Sequence, residues 1–359
     1  MAMPWRAFVR HMTSFPIIDG HNDVLLRLWL KKSAAAAADF VGGDGLGHMD
    51  LPRIQAGNMA GGLFAIFSPS QADYRHDDDD LNPPIDPAVA QQVALKSALE
   101  MFDLRDQIVA LAGDVVRLCN SVADIRKAIA DSKLAFVTHI EGAEAITPDL
   151  SNLQLLYDRG LRSLGPVWSR PNAFGEGVPF RFPSSPDTGG GLTETGSALV
   201  KECRRMGILI DLSHLNERGF WDVSHVSDKP LVATHSNAHA VSASSRNLTN
   251  EQLLAIGESR GMVGLNYATG FLRPDGRWDT KTDASVLIQH LEHLLKYAGE
   301  DCVGLGSDFD GARIPAFIGN VAGVVNLVAA MQQAGFGDKL IEKITSKNWL
   351  RVLQLTWGQ

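Results

Sequence analysis

The sequence is poor in cysteine: three in 359 residues, at positions 119, 203 and 302, with no Cys-x-x-Cys pair among them. An odd, dispersed set offers no disulfide framework and fits a reducing compartment. Long apolar runs are missing too. No stretch approaches the ~20 residues that a membrane span needs. Residues 1–15 carry no continuous apolar segment ahead of a small-residue cleavage site, so no secretory signal is expected. Positive charge is in deficit, with 33 Lys and Arg against 41 Asp and Glu and a net charge of −8. That balance argues against nucleic acid or an anionic membrane surface as a partner, since both select basic patches. No Gly-x-Gly-x-x-Gly follows the first apolar run, which weakens a dinucleotide-binding reading. A soluble cytoplasmic protein is the expectation that remains.

What is present is a regular alternation. The chain is 45% hydrophobic and 21% charged, an ordinary globular composition. Short apolar runs recur at residues 16–20, 62–67, 135–141, 163–169, 207–214, 231–236, 261–267 and 302–308. Most lead into a polar or Gly-rich turn and then a helical spacing of apolar residues. Helices are expected over 87–111, 193–206 and 283–298, from 249 onward, and twice or more between 320 and 355. Strands apolar on both faces and joined by helices are parallel. Eight of them fit a (β/α)8 TIM barrel better than an open sheet. The expectation is one α/β domain over 1–359, with barrel strands at about 17–311, long βα loops and extra C-terminal helices at about 320–356. The Gly-, Pro- and Ser-rich stretch 172–191 reads as a βα loop over the site, residues 34–47 as an insertion after the first strand, and the acidic run 77–80 as a solvated loop.

In such a barrel, reactive groups sit at the C-terminal ends of the strands. Those ends carry His21 and Asp23, Glu141, His214, His235 and Asp308. Alternate residues of an extended chain face one side, so His21 and Asp23 can meet one point. Each of these residues alone has a bland reading. His21 and Asp23 could form a loop cap, Ser213 or His214 could cap a helix, Glu141 could be a turn acid, and Asp308 and Asp310 could form a turn. Together they are too many ligand-type groups at one end of one barrel to be coincidence. Three histidines and up to three carboxylates exceed what one tetrahedral zinc takes. Two cations ~3.5–4 Å apart can share a carboxylate and acidify a bridging water, and Glu141 is the natural bridge. Asp308 is then free to carry the proton to a leaving amine. His11, His48, His76, His225, His239, His290 and His293 are read as surface or core residues, and the cysteines as structural.

Several motifs resemble the renal (membrane) dipeptidase family, the zinc dipeptidases of the amidohydrolase-like barrel group, over about residues 17–355. They are Asp19-Gly20-His21-Asn22-Asp23, Asp50-Leu51-Pro52-Arg53-Ile54-Gln55-Ala56-Gly57, Glu141-Gly142 and Ile210-Asp211-Leu212-Ser213-His214. The others are His235-Ser236-Asn237-Ala238, Ser245-Arg246-Asn247 and Gly306-Ser307-Asp308-Phe309-Asp310-Gly311. The resemblance implies two Zn2+ per chain, one held by His21, Asp23 and Glu141 and the other by Glu141, His214 and His235. They would be bridged by Glu141 and a water or hydroxide. It implies proton transfer by Asp308 and a substrate α-carboxylate on Arg246, whose guanidinium fork suits a carboxylate. It further implies hydrolysis of small L,L- and L,D-dipeptides, with homodimers common among relatives.

Trp168 stands where the family's fourth strand has a substrate-facing His. His139, two residues before Glu141, or Arg170 is the expected source of the missing donor. Asn247 and Tyr267 complete the substrate-binding candidates. The alternative activity is a barrel hydrolase acting on an N-acyl amino acid, a cyclic imide or another small amide. A barrel that binds without turnover has no use for Asp308, and no strand end carries the lysine of an aldolase.

Overall fold

The computed structural model describes residues 15–70 and 80–358. The N-terminal stretch read for a signal, His11, His76 and most of the acidic run 77–80 lie outside the described residues. The strands are β1 (Ile17–Asn22), β2 (Met59–Phe67), β3 (Val116–Leu118), β4 (Leu134–Glu141), β5 (Leu161–Gly165), β6 (Leu209–Ile210), β7 (Val232–Ala233), β8 (Met262–Leu265) and β9 (Val303–Leu305). Eight of them run in the order β6-β5-β4-β2-β1-β9-β8-β7, with every described ladder parallel. A parallel bridge between Asp211 and Val232 joins the two outer strands, so the sheet returns on itself as a barrel. These are the eight apolar runs of the sequence. β3 is the addition: only three residues long and interrupted by Arg117, it gives no apolar run to read. It pairs with Leu134–Phe136 at the start of β4, ahead of the point where β5 begins opposite Thr138.

Burial explains why these runs had no alternation. All six residues of β1, all nine of β2 and all eight of β4 are buried, between the barrel interior on one side and helices on the other. The interior is layered. Its lower part is apolar, with Ile18, Leu63, Ala135, Val137, Leu209, Val232 and Met262 packed against Trp349, Val352 and Leu353. Trp349 belongs to the last helix, Asn348–Trp357, and its indole N–H donates to the Leu305 carbonyl at 3.0 Å. The C-terminal helix therefore stops the barrel at the end opposite the site. Gly20 is required there, because a Cβ would lie 2.4 Å from both the Thr234 carbonyl and the Trp349 ring.

The helices start where side chains can take the orphan N–H groups. Thr193 and Asp283 cap Glu194–Met206 and Ala284–Ala298, and Thr249 with Gln252 forms a capping box for Asn250–Glu258. The helix Glu217–Val226 is capped by Asn216, which leaves Ser213 and His214 to the site. The helix expected from residue 87 begins at Gln91, after the extended, proline-bearing stretch 83–90.

Candidate active site

The polar layer lies directly above the apolar one. Along β4 the inward residues are Val137, then His139, then Glu141 at the rim, each step of two residues rising roughly 7 Å. Around Glu141, loops that leave the other strands bring in the remaining groups. His21 is in β1, Asp23 begins the helix Val24–Leu30, and His214, His235 and Asp308 follow β6, β7 and β9. The β1 ladder shifts register between Asp19 and Asn22, and His21 and Asp23 converge with Nε2 and Oδ2 3.3 Å apart.

One carboxylate oxygen gathers three imidazoles. Glu141 Oε1 lies 2.9 Å from His214 Nε2 and 3.5 Å from the Nε2 atoms of both His21 and His235. Two ligand triads share it, His21–Asp23–Glu141 and Glu141–His214–His235, with the ligand atoms of each within 4.8 Å of one another. A third group, His21–Asp211–His235, meets the same criterion, but Asp211 is occupied elsewhere, as described below. All five residues of the two triads are buried.

The electrostatics of this cluster call for cations. Burial drives the Glu141 carboxyl well above its ordinary range, with Asp23 and Asp308 adding to it, against the pull of His21. Burial opposes a charge on His21, but the carboxylates of Glu141 and Asp23 outweigh it and lift that imidazole to about 10. Burial together with the Arg246 and His21 charges holds His214 and His235 well below the usual histidine value, so both imidazoles are neutral, the form that can ligate a metal. Among the described residues neither ring nitrogen of His21 makes a well-formed hydrogen bond, the Asp23 carboxylate lying 3.3 Å from Nε2. Buried carboxylates, neutral imidazoles and an orphaned ring nitrogen are the donor set of a zinc-type site, so the residues fit the metal.

The far side of each ligand is held. His214 Nδ1 lies 2.8 Å from Ser169 Oγ, and His235 Nδ1 lies 2.8 Å from Thr234 Oγ1, which in turn donates to Asp211 Oδ2 at 2.5 Å. Asp211 Oδ1 also accepts from the Ser213 and Thr234 N–H groups and from Ser213 Oγ. Such partners fix the tautomer that would leave Nε2 free for a bound metal. Sequence reasoning missed this relay, although the hydroxyl residue Thr234 immediately precedes His235.

Asp308 has φ of 60°, in the left-handed region, and Asp310 has φ of 66°. Asp308 Oδ2 accepts from Asn266 Nδ2 at 2.9 Å, and burial raises the carboxyl above its ordinary value. Arg246 is buried, and burial lowers it to about 10. It donates to the carbonyls of Ser213 and His235 and to Ser236 Oγ, its Nη2 lies 3.3 Å from His214 Nε2, and its Nε has no partner among the described residues.

Above the cluster opens a cavity of about 480 Å³, with Asp23, Glu141, His214 and Asp308 on its floor and Trp168 on its wall. Three of the substrate-binding candidates lie away from the cavity. His139 lies one layer too deep, fully buried, 2.9 Å from Ser163 Oγ and 3.6 Å from Asp211 Oδ2, and burial lowers it to about 3. Asn247 ties its loop to the Ser242 and Phe271 carbonyls, and Tyr267 packs on Phe309. None of the three lines the cavity, and neither does Arg246, whose guanidinium lies 3.3 Å from His214 Nε2 of the cavity floor. Arg170 does not either: it is fully buried and paired with Glu144 at 2.7 Å.

A closed parallel barrel with this ligand cluster at the C-terminal ends of its strands defines a metal-dependent hydrolase. Comparison with known proteins narrows the class. The model of the membrane dipeptidase family, peptidase family M19, matches residues 6–356. The solved structure of dipeptidase AC, a metallopeptidase of family M19, is 50% identical over 97% of this chain and 100% of its own, with a TM-score of 0.92. A metallopeptidase from Rhodobacter sphaeroides, solved with a phosphinate mimic of the dipeptide L-Ala-D-Ala, is 49% identical over 96% of this chain and 100% of its own, with a TM-score of 0.94. The protein of the pqqA 5′ region of Klebsiella pneumoniae is 46% identical over 253 residues, 70% of this chain and 93% of its own. The chain belongs to the M19 family: it is a metallopeptidase, a hydrolase acting on dipeptides.

Proposed function

We propose that the protein is a binuclear zinc dipeptidase acting on small L,L- and L,D-dipeptides. The observation that carries this reading is the convergence of three imidazole nitrogens on one oxygen of Glu141, within 3.5 Å. That arrangement suits Glu141 as the ligand common to two cations. His21 and Asp23 complete one triad, and His214 and His235 the other. When bound, the two cations supply Lewis acidity that lowers the pKa of water and polarises the scissile carbonyl.

The chain's own residues do the rest. Asp308, whose carboxyl burial raises above its ordinary value, takes the proton of the attacking water and passes it to the leaving amine. Arg246 anchors the α-carboxylate of the C-terminal residue, a role its unpartnered, buried Nε supports. Ser169, Thr234 and Asp211 keep the imidazoles aimed. The L-Ala-D-Ala mimic bound by the Rhodobacter sphaeroides relative supports a D-residue at the C-terminal position.

The test is elemental analysis of the purified protein paired with amine release from L-Ala-L-Ala and L-Ala-D-Ala. About two zinc ions per chain with turnover is the expected result, and Glu141→Gln should lower both. Less than one metal per chain after reconstitution with zinc would defeat the proposal.

A further inference from the structure

The cavity is larger than alanyl-alanine needs, and its two sides differ in chemistry. At about 480 Å³ it falls among pockets that enclose drug-sized ligands. One side, next to Asp23 and Asp308, is polar. There Asp310 accepts from Arg27 Nε at 3.0 Å, and its N–H donates to His48 Nδ1 at 2.9 Å. The other side is a continuous run of rings. Phe67 meets Trp168 at 5.1 Å between centroids, Trp168 meets Phe180 at 5.4 Å, Phe180 meets Phe271 at 5.5 Å, and Phe271 meets Trp278 at 5.2 Å. The run starts at the metal ligands and passes the carboxylate anchor. Trp168 and Phe180 lie 5.8 Å and 6.4 Å from the His214 ring, and Arg246 sits 5.5 Å from the Phe271 centroid.

The surrounding chain is shaped to hold these rings. Arg170, fully buried, lies under both Phe67 and Trp168, at 5.0 and 5.3 Å from their centroids. A Cβ on Gly270 would meet the Trp278 ring at 2.5 Å, and one on Gly276 would meet the Phe182 ring at 2.3 Å. Trp168, Phe180 and Trp278 are only partly buried, although each packs against other rings. Apolar faces kept rigid, concave and wet beside a catalytic centre are faces that a ligand covers.

We propose that this wall is the subsite for the side chain of the substrate's C-terminal residue, and that the preferred substrates are dipeptides ending in a large apolar or aromatic residue. The assignment rests on the dipeptidase reading with Arg246 as the carboxylate anchor. A substrate whose carboxylate sits at Arg246 and whose amine side lies toward Asp308 directs its C-terminal side chain along Trp168, Phe180 and Phe271. Trp168, which replaces the family's polar group, becomes the first ring of that wall.

The experiment measures kcat/KM for L-Ala-Xaa with Xaa alanine, leucine or phenylalanine in both L and D forms, and for the reversed series Xaa-L-Ala. A hydrophobic pocket separates such side chains by roughly 10–200-fold. The C-terminal series should therefore climb at least about tenfold from alanine to phenylalanine in one stereochemical form, while the reversed series changes by less than about threefold. Phe180→Ala and, separately, Trp278→Ala should pull the phenylalanine-to-alanine ratio toward one. Trp168→Phe should keep most of it. Circular dichroism establishes that each variant is folded. A flat C-terminal series on an enzyme that cleaves L-Ala-L-Ala or L-Ala-D-Ala would overturn the subsite and leave the dipeptidase intact. So would a preference confined to the N-terminal series, or a ratio that survives both truncations. Turnover of neither series by the zinc-loaded protein would remove the dipeptidase reading itself, and the subsite with it.

Discussion

Replacing Gly311 by alanine tests whether the catalytic carboxylates depend on close backbone approach. A Cβ at that position would lie 2.1 Å from Asp23 Oδ2 and 2.6 Å from Asp308 Oδ1, where ordinary contact begins near 3.4 Å. Asp23 must therefore retreat by about 1.3 Å, the difference of those two distances, and Asp308 by about 0.8 Å. Both side chains are short and buried, so neither can swing away without leaving its place in the site. A displacement of this order in a positioned group costs roughly 10²-fold in rate. Gly311→Ala should lower kcat/KM on L-Ala-D-Ala by that factor, with weaker metal retention because Asp23 belongs to one triad. Gly42→Ala is the control. Nothing lies within 4 Å of its added methyl, and alanine in a helix should raise stability by up to ~1 kcal/mol. If Gly311→Ala kept its metal and stayed within threefold of wild-type kcat/KM, the carboxylates would not be under the tight packing described here, and the reasoning would fail.

Asp308→Asn should reduce kcat by roughly 10²–10⁴-fold while elemental analysis finds the metal unchanged, since Asp308 belongs to neither triad; parallel loss of metal would refute its role in proton transfer. Arg170→Met leaves the Glu144 carboxylate buried without its partner and should cost about 3–5 kcal/mol in urea unfolding, most of it recovered by adding Glu144→Leu. His290 accepts from the Ala238 N–H through Nδ1 and donates through Nε2 to the Leu272 carbonyl, so burial keeps it neutral and lowers it from 6.5 to about 4. A base whose folded pKa is depressed lends stability that is complete above pH 6.5 and is lost as the pH falls toward 4. The shift corresponds to roughly 3 kcal/mol. Urea midpoints at pH 7 and 4.5 should therefore drop further for the wild type than for His290→Gln, and equal slopes would contradict the assignment.

Much of the site was legible because local chemistry wrote it. The candidate ligand residues close apolar runs, and strand ends of a parallel barrel are where such residues act. His21, Asp23, Glu141, His214, His235 and Asp308 could each be named from that rule, and the cavity floor holds Asp23, Glu141, His214 and Asp308. His139 misled because a two-residue spacing fixes the face of a strand and says nothing of depth. It shares the inward face with Glu141 but lies beneath it. The partner of Arg170, Glu144, belongs to another loop, so their pairing leaves no local pattern. The Asp211–Thr234–His235 relay joins two neighbouring strand ends, and Thr234 by itself looks like any strand residue.

The sequence by itself determined the eight strands, their parallel sense, and the type of group at each strand end. Those depend on apolar runs, turn residues and helix caps, which act over a few residues. Only the tertiary structure decided that three imidazoles meet one oxygen of Glu141, that Trp349 stops the barrel below, and that Phe67, Trp168, Phe180, Phe271 and Trp278 form one wall. Locally each of those rings is indistinguishable from a core residue. Closure of the barrel brings together segments as far apart as Asp19 and Ser307, 288 residues away in the chain, and the shape it makes is set by packing across the whole sheet, which no local pattern records.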